Sequence, residues 1–128
     1  MKLNYFIEDR TIHLTDEEKE ILSIREDPED SSVTVTLTGN LRSDAVCYMQ
    51  DELDAFLSLG FAVIVDMSGL NYVSVTAQQA FLQSQQKADR LGKGSLTLRL
   101  PNDTLYAEFE KTGASDLLIF ERGGSHAL

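Results

Sequence analysis

"FAVIVDMSGLNYVSVTAQQAFL" (residues 61–82) joins an apolar run, a cluster of turn-forming residues and the first turns of an amphipathic segment. Phe61 to Val65 is apolar without a break, as suits a strand buried on both faces. Further on, Ala77, Phe81, Ser84, Ala88 and Leu91 recur at helical spacing and predict a helix over 76–91. Its small inward residues would let it lie close to a sheet, and Gly92 supplies a stop. Two hydroxyl residues, Ser74 and Thr76, stand at the entrance. Gln79 follows Thr76 at capping-box distance, so Thr76 is the expected cap.

Upstream, Val33, Val35 and Leu37 alternate with Thr34, Thr36 and Thr38, predicting a strand that Gly39 ends. Ser43 is placed to cap a helix over 44–59, and Val46, Met49, Leu53, Phe56 and Leu57 form its apolar stripe before Gly60. Downstream, Leu96, Leu98 and Leu100 alternate as a strand. Thr104 is the expected cap of a helix carrying Leu105 and Phe109, and Leu117 to Phe120 closes the pattern. Strands alternating with helices predict an α/β domain over 33–122, with a mixed, mostly parallel sheet and helices packed against it. In such domains the loops after the carboxyl ends of the strands carry function, here 39–44 and 66–76.

Residues 1–32 read as an N-terminal extension. Leu3, Tyr5 and Ile7, then Ile12 and Leu14, alternate on either side of Glu8-Asp9-Arg10, which predicts a hairpin. Thr15 to Glu18 has the form of a capping box for a short acidic helix leading to a strand at Ile21 to Arg25. Residues 27–32 form a turn cluster, and the tail 123–128 is expected to be disordered.

The chain has 128 residues, enough for one core, and a formal net charge of −10. That charge argues against nucleic acid and against anionic membranes, both of which attract Lys and Arg. No apolar run approaches the ~20 residues of a membrane span, and no secretory leader is legible, so a cytoplasmic protein is expected. The single cysteine, Cys47, lies beside the first helix stripe with no histidine near it in sequence. His13 and His126 lie apart from one another and from ligand-spaced carboxylates, so no metal or cofactor is expected. Gly92-Lys93-Gly94-Ser95 fails as a phosphate loop, since Gly94 stands where a Ser or Thr must follow the Lys and no Gly stands at the motif's first position. No nucleophile–base pair is apparent; no catalytic residue is expected.

The stretch 63–82 resembles the central motif of STAS domains, the fold of bacterial anti-sigma factor antagonists. Asp66, Ser68 and Gly69 match its Asp-x-Ser-Gly, and Leu70, Tyr72 and Val73 its apolar step. "VTVTLTGNL" (33–41) is similar to the family's second strand with its Gly-x-Leu ending. "LYAEFEKTGASDLLIF" (105–120) is similar to its last helix, glycine and closing segment. The family's Asp-Ser-Ser-Gly falls on Ser74, Val75, Thr76 and Ala77, so a hydroxyl survives at the modified position, Thr76, while the acidic residue and glycine are replaced. Arg42 replaces the Asp common after Gly-x-Leu.

The resemblance implies a non-catalytic regulator that binds a protein, an anti-sigma factor serine/threonine kinase, with phosphorylation at Thr76 or Ser74. The implied contact surface is Asn40, Arg42, Ser43, Ser74, Thr76, Gln78, Gln79, Leu82, Gln83 and Gln86. A scaffold or dimerisation module without phospho-switching, which allows a homodimer, and a small-molecule or nucleotide sensor are the alternatives.

Overall fold

The computed structural model describes residues 3–100 and 103–122, with Arg122 represented by its backbone. Seven strands form one sheet in sequence order: β1 (Asn4–Glu8), β2 (Thr11–Asp16), β3 (Lys19–Pro28), β4 (Ser32–Leu41), β5 (Ala62–Val73), β6 (Ser95–Leu100) and β7 (Phe120–Arg122). Neighbours from β1 to β4 are antiparallel, and those from β4 to β7 are parallel. The helices α1 (Val46–Ser58), α2 (Val75–Leu91) and α3 (Asp103–Thr112) serve the parallel half. Parallel crossovers are right-handed, and these all step in one direction, so all three helices fall on one face of the sheet.

Burial follows from that arrangement. Val33, Val35 and Leu37 of β4, Val63, Val65 and Met67 of β5, and Leu96, Leu98 and Leu100 of β6 point at the helices and are buried. They meet Met49, Leu53 and Leu57 of α1, Ala77, Phe81 and Ala88 of α2, and Phe109 of α3. The other sheet face is uncovered by helices, so Ile64 is only half-buried, between Thr34 and Thr97, although its strand is central. The apolar run 61–65 thus does not denote burial on both faces.

The antiparallel half departs from the sequence reading first at the β2–β3 turn. Asp16 pairs with Lys19 across a two-residue turn in which Glu17 and Glu18 adopt φ of 52° and 69°; the capping-box pattern there forms no helix. Strand pairing on both sides of the turn outweighs the weak local preference. The hairpin at Asp9-Arg10 and a strand through Ile21–Arg25 are both present. Pro28, read as turn, still pairs with Val33. Leu91 is exposed rather than inward. Thr104 lies in the first turn of α3 and not at its cap, because the helix starts at Asp103. The tail 123–128, His126 included, lies outside the described residues.

Gly39 does not end β4, which runs on to Leu41. It has φ +113°, and a Cβ there would stand 2.3 Å from the Ile21 carbonyl oxygen of β3. The glycine is required by a close backbone approach inside the sheet.

One acid is turned toward the helices. Glu26 of β3 sits opposite Val35, and Glu52 of α1 meets it. Burial, then the hydrogen bond to Glu52 and its charge, push the Glu26 carboxyl up to about 8. One of its oxygens, Oε2, is buried without a hydrogen-bond partner. A carboxyl raised on folding stabilises fully below its unfolded value of 4.5, and that contribution is lost as pH rises through about 8. Glu26→Gln should therefore flatten the loss of stability between those pH values. It should leave the variant roughly 1–2 kcal/mol ahead at alkaline pH, after allowing for solvent screening at this half-buried position. Urea melts of both proteins at acid and alkaline pH measure this; parallel pH profiles would disprove it.

Candidate functional site

The parallel strands deliver their carboxyl ends to one edge of the domain. β4 and β5 stay paired to Leu41↔Val73, and the Ser74 amide donates to the Leu41 carbonyl at 3.0 Å. Residues 66–73, read as part of a loop, are therefore strand. The misleading turn residues make a bulge instead: Thr36 pairs with Asp66 but Thr38 with Gly69, leaving an extra residue on β5. The Asp66 carboxylate accepts the Ser68 amide at 2.9 Å and stabilises the bend. A Cβ at Gly69 would be 2.9 Å from the Thr38 hydroxyl oxygen.

Ser74, not Thr76, caps α2. It has extended backbone (φ −74°, ψ 160°), and its side chain accepts the Ala77 amide at 3.1 Å. At 3% exposure it is enclosed by this role. Thr76 falls in the first turn, exposed, and the capping box with Gln79 is not used. The sequence pattern fits both registers; pairing of β5 with β4 up to Val73 selects Ser74 as the first residue free to cap. Ser74→Ala should consequently destabilise by about 1 kcal/mol, while Thr76→Ala should change stability by less than about 0.5 kcal/mol. Chemical denaturation of the two variants tests the assignment; equal losses would refute it.

Among the described residues, Thr76 is joined to the neighbouring strand end by one side chain: the Ser43 hydroxyl donates to Thr76 Oγ1 at 3.3 Å. Ser43 begins a single 3-10 turn (Ser43–Ala45) ahead of α1 and makes no side-chain cap. Arg42 donates to Asp44 through Nε (3.1 Å) and Nη2 (2.5 Å), and also through Nη2 to Asp16 Oδ2 at 3.4 Å. This pairing holds Asp44 below the ordinary carboxylate range and raises Arg42 further. Arg42 is thus engaged with two carboxylates and draws the β2–β3 turn toward the site.

Beside the two hydroxyls stand two exposed apolar side chains absent from the sequence-derived surface, Tyr72 and Val75. Tyr72 pairs with Asn40 at the strand ends. The signal was in the chain, for with Val73 directed inward, period-2 alternation turns Tyr72 out.

Along α2, Gln79, Gln83 and Gln86 are exposed and Leu82 is half-buried. Gln83 accepts a 2.9 Å hydrogen bond from Gln50 of α1. Gln78 belongs to the interior and not to the outward face. It is 3% exposed, donates to the Glu108 carbonyl at 3.4 Å and accepts from the Thr112 hydroxyl at 2.5 Å, tying α2 to α3.

Among the described residues, no cluster of His, Cys, Asp and Glu is arranged to hold a metal ion. His13 instead bonds Glu20 and stacks on Phe6, and Cys47 is exposed. No helix among them is long and apolar enough to cross a membrane. A hollow of about 630 Å³ lies against the turn 28–32, at the amino end of β4 and so at the opposite end of the strand from the site.

A mixed sheet with three helices packed against it is the fold that solved anti-sigma factor antagonists share with this chain. An anti-sigma factor antagonist from Mycobacterium paratuberculosis superposes with a TM-score of 0.68 at 10% identity, over 77% of this chain and 84% of that one. The anti-sigma factor antagonist SpoIIAA in its unphosphorylated form gives 0.64 at 14% identity, over 78% and 89%. The phosphorylated form of SpoIIAA, a Bacillus cell fate determinant, gives 0.59 at 14% identity, over 78% and 92%. Comparison with curated protein sequences returns no match. The family model described as "Mlab, STAS domain" matches residues 24–119, and the chain belongs to the STAS domain family.

Proposed function

We propose that this STAS domain works by binding an anti-sigma factor of the serine/threonine kinase fold, and that phosphorylation of Thr76 releases it. The observation that carries this reading is the exposed Thr76 hydroxyl in the first turn of α2, with exposed Tyr72 and Val75 beside it. Apolar area next to a modifiable hydroxyl suits a contact that one added phosphate can end. A phosphate at a helix amino terminus is tolerated by the fold, because the dipole and free amides favour it. Ser74 is the poorer acceptor, being buried and committed to the Ala77 amide. The binding surface comprises Asn40, Ser43, Tyr72, Val75 and Thr76, continued along α2 by Gln79, Gln83 and Gln86. That SpoIIAA exists in both forms supports the reading. Incubation with the host's anti-sigma kinase and ATP, followed by mapping of the phosphate and calorimetry, tests it. Modification at Thr76 with loss of binding is the expected result; modification elsewhere, or no binding before modification, would overturn it.

A further inference from the structure

β1 is an edge strand, and its three central residues are all solvent-facing: Tyr5 59%, Phe6 50% and Ile7 67% exposed. Edge strands in monomers are generally blunted by lysine, proline or a bulge, and Asn4–Glu8 has none of these. The strand is nevertheless firmly held. Tyr5 packs on Tyr48 of α1 (ring centroids 5.8 Å apart), Phe6 stacks on His13 (4.7 Å), and the Tyr48 hydroxyl donates to the Leu3 carbonyl at 3.3 Å.

The turn determines which backbone groups are free. Asp9 and Arg10 have φ of 50° and 62°, a two-residue turn that closes on Glu8↔Thr11. In such a hairpin the closing pair exchanges both hydrogen bonds, and alternation makes Phe6↔His13 and Asn4↔Thr15 the next bonded pairs. Tyr5 and Ile7 therefore aim their N–H and C=O groups at the open edge.

We propose that β1 pairs antiparallel with β1 of a second copy about a twofold axis through Phe6, joining two sheets into one. The sequence is self-complementary in that register. Tyr5 faces Ile7 of the second copy and the two exchange both backbone bonds, making four across the interface. Phe6 faces Phe6, a close aromatic pair on the open sheet face. Asn4 faces Glu8, so the one acid in the strand meets a carboxamide rather than another acid, which matters in a chain of net charge −10. The apolar area available, on the order of 300 Å² per copy from three side chains of this size, is well under the roughly 800 Å² per partner of a standard stable interface, so the backbone bonds must carry much of the association and the pairing is weak. The dimer is accordingly concentration-dependent, and added salt strengthens it by screening repulsion between two acidic bodies.

Sedimentation equilibrium of the full chain from low micromolar to millimolar concentration should show a reversible dimer that tightens with salt. Phe6→Lys sets two charges face to face at the axis and should leave a monomer. Ile7→Pro removes an outward N–H while sparing the β1–β2 bonds, and should do the same with an unchanged melt. The register has its own test, since non-bonded antiparallel pairs approach to ~4.5 Å between Cα atoms, within disulfide range. Phe6→Cys in a Cys47→Ser background should oxidise to a covalent dimer, whereas Asn4→Cys should not. A wild-type chain that stays monomeric up to millimolar concentration would overturn the proposal, whether the edge is then empty or serves an extended segment of another protein. So would undiminished dimerisation of both Phe6→Lys and Ile7→Pro.

Discussion

Thr76→Asp is expected to weaken binding of the anti-sigma partner by about 100-fold, close to 3 kcal/mol, while shifting the melting curve hardly at all. The two effects separate because the carboxylate would meet different surroundings in each. In the free protein it would stand exposed in the first turn of α2, where the helix dipole favours an anion by roughly 0.3–1 kcal/mol. In the complex it would be enclosed beside Tyr72 and Val75, and an unpaired charge taken out of water in an interface costs about 2–5 kcal/mol. Arg42, which adjoins Ser43, offers little relief, being bonded already to Asp44 and Asp16. Thr76→Ala should bind as wild type and melt as wild type, because the cap it would remove belongs to Ser74. Calorimetric titration and thermal melts on both variants decide the matter. If Thr76→Asp binds undiminished, Thr76 is a surface residue of α2 and not a switch.

Gly39→Ala should destabilise the domain by about 3 kcal/mol or more, lowering the melting temperature by roughly 10 °C. The methyl group would come within 2.3 Å of the Ile21 carbonyl oxygen, and both the atom it meets and the chain it rides on are backbone. Neither can move without loosening the β3–β4 ladder on which the antiparallel half of the sheet hangs. A φ of +113° adds strain that any L side chain would feel. Gly113→Ala is the control. Gly113 also has positive φ, +82°, but a Cβ there would have nothing within 4 Å, so only the conformational penalty of about 1 kcal/mol applies. Equal losses for the two variants would show that the close approach at Gly39 is relieved by some shift of β3.

Periodicity carried most of the fold. The alternations in β4 and β6 and the stripes of α1 and α2 point at the same core because each is a local pattern with one period. The motif residues Asp66, Ser68 and Gly69 were legible as a family likeness and misleading as structure. Turn-forming residues denote a bend, and only the ladder with β4 decides whether that bend is a loop or a bulge in a strand twelve residues long. Glu17 and Glu18 carry a helix-start pattern and yet form a turn for the same reason. A capping box is a local pattern, and the pairing of Asp16 with Lys19 overrules it.

An acidic α/β domain of STAS character, with a hydroxyl-bearing segment where the central strand gives way to a helix, is legible in the chain alone. Local spacing suffices for that, since apolar periods and motif order do not depend on distant neighbours. Tertiary structure alone decided that Ser74 is the cap and Thr76 the exposed hydroxyl, because strand pairing sets where β5 ends. It also decided that Gln78 turns inward to α3 while Tyr72 and Val75 face solvent. A helix face or strand face is polar or apolar in the sequence, but which atoms meet water depends on what packs against them, and those partners here lie some thirty residues away.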